Sequence, residues 1–93
     1  MIESIAIIGA GNMGSGIAQK SATEGFLVQM VDREQQWVDK GHGIIENFLG
    51  EALERRIFSP DKAEEIKRRI TGVVGNENVS PDTDLVIEAV FED

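Results

Sequence analysis

Three closely spaced glycines and one acidic residue are the groups most able to bind a phosphorylated ligand. The stretch 9–14 reads Gly-Ala-Gly-Asn-Met-Gly, and Asp32 follows its last glycine by eighteen residues. A glycine turn that opens a helix presents free backbone N–H groups, which together with the helix dipole attract phosphate oxygens. A carboxylate at the end of the next strand can accept hydrogen bonds from ribose hydroxyls. The pattern predicts a dinucleotide site.

Each glycine of this stretch has its own predicted role. Gly9 makes the tight turn off a strand, Gly11 lets the pyrophosphate approach the backbone, and Gly14 lets the helix pack closely on the sheet. The carboxylate of Asp32 repels a 2′-phosphate, so the sequence favours NAD, whereas Arg33 beside it leaves use of NADP open. An ordinary strand-to-helix turn with a solvated Asp32 is the alternative interpretation.

The segments around these residues predict an α/β fold. Apolar runs typical of parallel strands occupy 4–8, 26–31, 71–74 and 84–90. Helical spacing runs from Met13 to Ala22, with Gly25 as the stop signal, and over 34–57. Start signals mark a third helix from Ser59 to Ile70. Gly41 and Gly43 are expected to weaken the second helix. We therefore expect an incomplete, doubly wound Rossmann domain over residues 1–93, with a β-α-β unit, a helical hairpin and two further strands.

Composition excludes several other classes of function. A formal net charge of -8 argues against nucleic acid as the main partner, although six of the nine basic residues lie between Arg55 and Arg69. The chain has no cysteine, which excludes disulfides and thiolate chemistry, and no metal site is predicted. No apolar run approaches the ~20 residues of a membrane span. We expect no signal peptide, no membrane contact and a cytoplasmic protein.

Beyond the glycine pattern, the chain resembles the N-terminal NAD-binding domain of the 3-hydroxyacyl-CoA dehydrogenases of fatty acid β-oxidation. The likeness rests on residues 8–19, on Val-Asp-Arg at 31–33, on the helical hairpin and on Asp-Leu-Val-Ile-Glu-Ala-Val-Phe-Glu at 84–92. It implies a parent enzyme that uses NAD to oxidise (S)-3-hydroxyacyl-CoA to 3-ketoacyl-CoA. It also implies a homodimer, formed through a C-terminal helical domain beyond this sequence.

The resemblance implies a set of site residues. In the family, the counterpart of Met13 lies against the cofactor, that of Asp32 holds the adenosine ribose, and the segment matching 90–92 lines the nicotinamide half. The predicted cofactor contacts are Gly9, Gly11, Asn12, Met13, Gly14, Asp32, Arg33, Ala89, Val90, Phe91 and Glu92. Arg55 and Arg56 match a basic turn that contacts the coenzyme A of the substrate, with solvated helix ends as the alternative. Asp93 stands where the family usually has Asn.

No catalytic residue is predicted within the chain. The family's histidine base, the glutamate that orients it, and the Ser and Asn that hold the substrate are expected beyond Asp93. The single histidine, His42, is interpreted as a surface residue of the second helix. We expect these 93 residues to bind NAD without catalysis. The alternatives are a related β-hydroxyacid dehydrogenase, which Asp32 and the basic hairpin disfavour, and a non-catalytic dinucleotide-binding module.

Overall fold

The fold is a parallel sheet with three helices on one face. The computed structural model describes residues 1–89, whose elements are β1 (Ser4–Ile8), α1 (Asn12–Thr23), β2 (Leu27–Asp32), α2 (Gln35–Glu54), α3 (Pro60–Arg69), β3 (Ile70–Val74), a short 3-10 helix (Asn76–Asn78) and β4 (Leu85–Glu88). The strand order is β3-β2-β1-β4, with every pair parallel. This is the order of the first four strands of a Rossmann sheet. The predicted α/β class and the sequence of elements are confirmed.

The core lies between the helices and one face of the sheet. Alternate strand residues share a face, and Ile5, Ile7, Val28 and Met30 are buried in one cluster on this side. The helices contribute Ala18, Ala22, Ile45, Leu49 and Ile66 to the same cluster. The core residues of α1 are small, which allows this helix to lie close to the strands. Those of α2 and α3 are larger.

The segment between β3 and β4 crosses the other face of the sheet. Gln29 points to that face because its neighbours in β2 point to the core. Its Nε2 donates to Thr83 Oγ1 over 2.7 Å, and its Oε1 accepts from Ser80 N over 2.8 Å. Within residues 1–89, β4 is an edge strand, with Leu85 39% and Val86 55% exposed.

Three side chains of α2 differ from the sequence-based expectation. Trp37 and Phe48 contribute to the apolar helical spacing of 34–57, which suggests burial, but they are 43% and 46% exposed because they lie on the flank of the helix. His42 is half-buried, which corrects its interpretation as a surface residue. Its Nε2 lies 2.8 Å from the position that a Cβ on Gly72 would take. The imidazole occupies space on β3 that exists because Gly72 has no side chain.

Part of the basic segment holds α3 on the other helices. Lys62 Nζ donates to Thr23 O over 3.3 Å, and Arg69 Nη1 donates to Ala22 O over 3.0 Å. Both acceptors are carbonyls at the C-terminal end of α1, where a positive charge is favourable. Lys67 pairs with Glu46 on α2 at 3.3 Å. These three cations therefore have structural partners.

A carboxylate joins the start of β1 to the segment just before β4. Asp84, predicted to lie in the strand, precedes it, and its Oδ2 accepts from Glu3 N at 2.9 Å and Ser4 N at 3.1 Å. The backbone hydrogen bonds from Glu3 and then Ser4 lower the pKa of Asp84 below its ordinary value of 3.8. The folded state therefore favours the charged form, and this contribution to stability is lost as the pH falls through the lowered pKa.

We expect Asp84→Asn to lower the free energy of unfolding near neutral pH. The difference from wild type should begin to shrink below about pH 4, where the carboxyl of the unfolded chain binds a proton, and should be lost as the pH falls through the lowered pKa of the folded protein. Asp82→Asn is the control, since within residues 1–89 only the backbone of Asp82 takes part in hydrogen bonds. Urea denaturation across this pH range measures the difference. A destabilisation by Asp84→Asn that does not change with pH contradicts a role for the charge.

Candidate dinucleotide site

The chain makes a tight turn between β1 and α1 at the carboxyl edge of the sheet. Gly9 has a φ of 115°, which glycine adopts without strain. Its N–H donates to Val31 O over 2.6 Å, so the start of the turn is paired with β2. No side chain caps the start of α1 at Gly11. The first N–H groups of α1, which have no acceptor within the helix, are therefore available to a ligand at this edge.

Gly14 and Gly11 differ sharply in their surroundings. A Cβ on Gly14 would lie 1.8 Å from the carbonyl oxygen of Gly9, so α1 packs against the backbone of the turn. A Cβ on Gly11 would meet nothing within 4 Å. The space beside Gly11 is open, and backbone donors border it. This arrangement fits a pyrophosphate group.

The carboxylate of Asp32 lies directly beside the glycine turn. Its Oδ2 accepts a hydrogen bond from Ala10 N over 3.0 Å, and its Oδ1 accepts one from Arg33 N over 2.7 Å. The two bonds fix the orientation of a half-buried carboxylate. Each oxygen keeps a second lone pair for another donor. The carboxylate can therefore accept hydrogen bonds from ribose hydroxyls without releasing the turn.

Of the remaining predicted cofactor residues, those that the structure describes lie along the same edge. Asn12 and Met13 are exposed at the start of α1, and Arg33 is exposed after β2. Ala89 is buried, and its N–H donates to Ile8 O over 2.8 Å, which places the end of β4 beside the end of β1. The predicted contacts at Val90, Phe91 and Glu92 lie outside the described residues.

The two arginines predicted to contact coenzyme A lie at the far end of α2. Arg55 is its C-cap and Arg56 follows with a φ of 60°. The 20 residues of α2 span about 30 Å, so these arginines are separated from Asp32 by the length of the helix. Both are exposed, and neither forms an ion pair within residues 1–89.

A depression of about 540 Å³ opens at the opposite, amino edge of the sheet. Its lining carries both charges, with the acidic side chains of Glu3, Asp82 and Asp84 beside the basic side chains of Arg68 and Arg69. None of the described residues that line it lies in the first turn of a helix, where free N–H groups would be found. Cavity size and dinucleotide chemistry therefore point to different edges, and we place the candidate site by the chemistry.

Two further observations limit the class of site in the part of the chain that the structure describes. No group of three or more His, Cys, Asp and Glu residues among 1–89 could hold a metal ion. No helix in this range has the length and apolar character needed to cross a membrane.

Two residues at the turn were not predicted from the sequence. Ala10 donates to Asp32, and Gly41 of α2 lies against Ala10. The glycine signature assigned no role to Ala10, and Gly41 was expected only to weaken its helix. A glycine kept inside an otherwise regular amphipathic helix was the available signal for a close contact.

Comparison with known proteins places the chain among dehydrogenases. A family model described as the NAD-binding domain of 3-hydroxyacyl-CoA dehydrogenase matches residues 4–93. The chain belongs to this family. The predicted resemblance is confirmed, and NAD is the cofactor for which the family is described.

Individual relatives agree with this assignment. A probable 3-hydroxybutyryl-CoA dehydrogenase of Deinococcus radiodurans is 41% identical over 86 residues, which are 92% of this chain and 30% of that protein. A fatty acid oxidation complex subunit alpha of Psychrobacter sp. is 37% identical over 98% of this chain and 12% of its own length. The (S)-3-hydroxybutyryl-CoA dehydrogenase structure from Ralstonia eutropha matches with a TM-score of 0.93 at 33% identity, over all of this chain and 32% of that one. The chain thus spans a third or less of these relatives.

We expect Gly14→Ala to destabilise the protein by about 2 kcal/mol or more, since its Cβ would overlap a backbone carbonyl that cannot move independently of the turn. Gly16→Ala in the same helix is the matched control, because a Cβ there meets nothing within 4 Å. That change should raise stability by about 0.5–1 kcal/mol through helix propensity. Urea denaturation of both variants makes the comparison. Equal stability of Gly14→Ala and wild type would show that α1 does not pack on Gly9 in this way.

Proposed function

We propose that this chain binds NAD along the carboxyl edge of its sheet, as the cofactor-binding part of an enzyme that oxidises (S)-3-hydroxyacyl-CoA to 3-ketoacyl-CoA. The observation that supports the site most strongly is the 3.0 Å hydrogen bond from Ala10 N to Asp32 Oδ2. It brings the phosphate-binding turn and the ribose-binding carboxylate into one site. The family match supports NAD, and the names of the relatives support the substrate class.

The proposed roles of the residues follow from their chemistry. The first N–H groups of α1 donate to the pyrophosphate, Gly11 leaves the space for it, and Met13 packs against the cofactor. Asp32 accepts hydrogen bonds from the adenosine ribose. Ala89 begins the segment that lines the nicotinamide half, and this segment continues through Val90, Phe91 and Glu92. When bound, NAD supplies the acceptor for the hydride that leaves the substrate.

Selection of NAD over NADP is proposed to depend on the charge at the ribose. The Asp32 carboxylate opposes a 2′-phosphate, since two negative groups at close range repel each other. Arg33, the next residue, carries the opposite charge on an exposed side chain, where solvent and salt screen its effect. The half-buried carboxylate is therefore expected to dominate.

The proton acceptor for the reaction is proposed to lie outside these residues. His42 packs on Gly72, which pairs with Met30 in the middle of the sheet, whereas the cofactor site is at the carboxyl edge. We expect the 93 residues alone to bind NAD without turnover. A homodimeric parent enzyme and a cytoplasmic location stay predictions from the resemblance.

Arg55 and Arg56 are proposed to contact the coenzyme A part of the substrate. Their exposed guanidinium groups can bind phosphate oxygens with paired hydrogen bonds. Coenzyme A is a long, phosphorylated molecule, which is compatible with a contact far along α2 from the cofactor. This role concerns the complete enzyme.

We expect Asp32→Asn to lower NAD affinity by about tenfold or more, because charge-assisted hydrogen bonds to the ribose are weakened. The amide oxygen can still accept from Ala10 N, so this change tests the charge more cleanly than Asp32→Ala does. The ratio of NAD to NADP affinity should fall as well, because repulsion of the 2′-phosphate is removed. Calorimetric titration with both cofactors measures these effects.

Glu34→Gln is the control for this experiment. Glu34 is an exposed neighbouring carboxylate whose Oε1 accepts from Gln36 Nε2 rather than from the glycine turn. Its loss should change NAD affinity by less than about twofold, as expected for a solvated charge. If wild type binds NADP as tightly as NAD, or if Asp32→Asn leaves the ratio unchanged, Asp32 is not the ribose ligand.

A further inference from the structure

A fourth glycine, Gly41 of α2, lies against the glycine turn. A Cβ at this position would be 2.7 Å from Ala10 O, 3.0 Å from Ala10 Cβ and 2.9 Å from Met30 Cε. The methyl end of Met30 can move aside, but the Ala10 carbonyl belongs to the backbone of the turn. The helix can approach this closely only because residue 41 has no side chain.

Ala10 is thereby held from two sides. Its N–H donates to Asp32 Oδ2, its carbonyl and methyl group face Gly41, and the residue is only 1% exposed. The next residue is Gly11, and α1 begins immediately after it. The position of Ala10 therefore sets the direction of the backbone that presents the phosphate-binding N–H groups.

The other glycines of α2 make no comparable contact. A Cβ on Gly43 or on Gly50 would meet nothing within 4 Å, and both positions are exposed. Glycine inside a helix is unfavourable relative to alanine. All three glycines lower the stability of the helix, but only Gly41 also makes a close contact with the turn.

We propose that Gly41 is a positioning residue of the cofactor site, which acts with Asp32 to clamp Ala10. The clamp holds the turn in its phosphate-binding conformation before the cofactor arrives. Such pre-organisation raises affinity, because less conformational freedom is lost on binding. The inference rests on the proposed function, since it assigns α2 to the same NAD site.

The decisive experiment compares NAD affinity in three variants of α2, at a temperature where each is folded. Gly41→Ala should raise the Kd for NAD by about tenfold, because its Cβ displaces Ala10. Gly43→Ala is the matched change on the opposite face of the helix, and it should leave the Kd within about twofold. Leu49→Ala, a core change on the same helix, should lower the Tm and leave the Kd within about twofold. If Gly41→Ala lowers the Tm but leaves the Kd unchanged, Gly41 has only a structural role.

A second measurement needs no variant that might fail to fold. In wild type without NAD, the amide hydrogen of Ala10 should exchange with solvent much more slowly than that of Gly11, because the Asp32 bond and Gly41 hold it. Equal exchange rates would overturn the clamp. Failure of the wild-type protein to bind NAD would contradict the proposed function, while this exchange pattern would still test the clamp by itself.

Discussion

The position of α1 depends on a contact that leaves no room for a side chain. Gly14 lies so close to Gly9 that a Cβ would be 1.8 Å from the Gly9 carbonyl oxygen. This contact brings the start of α1 to the carboxyl end of β1, and the parallel pairing of β1 with β2 places Asp32 alongside. Free backbone donors and a carboxylate therefore meet at one edge, in the arrangement proposed to bind a phosphate and a ribose. Neither the backbone donors nor the carboxylate requires a pocket of basic side chains.

The distribution of charge around α1 explains how an acidic chain can hold an anionic cofactor. The formal net charge is -8, so attraction must be local. The N-terminal end of α1 carries no capping side chain and can face a phosphate, whereas Lys62 and Arg69 bind carbonyls at its C-terminal end. Each end of the helix thus meets the charge that its dipole favours. Three of the six residues of the basic segment, Lys62, Lys67 and Arg69, thus have partners within the fold.

Sequence patterns predicted the elements and the position of the turn because these follow from local rules. Glycine spacing, strand-like apolar runs and the Ser59 cap were sufficient, and Ser59 does accept from Lys62 N. Contacts between distant segments were not predictable in this way. Three such pairs meet only through the tertiary fold: Gly41 with Ala10, His42 with Gly72, and Asp84 with the start of β1. The exposure of Trp37 and Phe48 likewise depends on which neighbours α2 meets, which apolar periodicity does not specify.

Binding of NAD at the carboxyl edge, and not in the 540 Å³ depression at the amino edge, can be tested most directly by titration of isotope-labelled protein with NAD. Backbone amide signals would be followed by NMR. The largest shifts are predicted at Gly11, Asn12, Met13 and Arg33, with small changes at the amino ends of the strands. Largest shifts at Ser4, Thr71 and Ser80 would place the cofactor in the depression and contradict the assigned site.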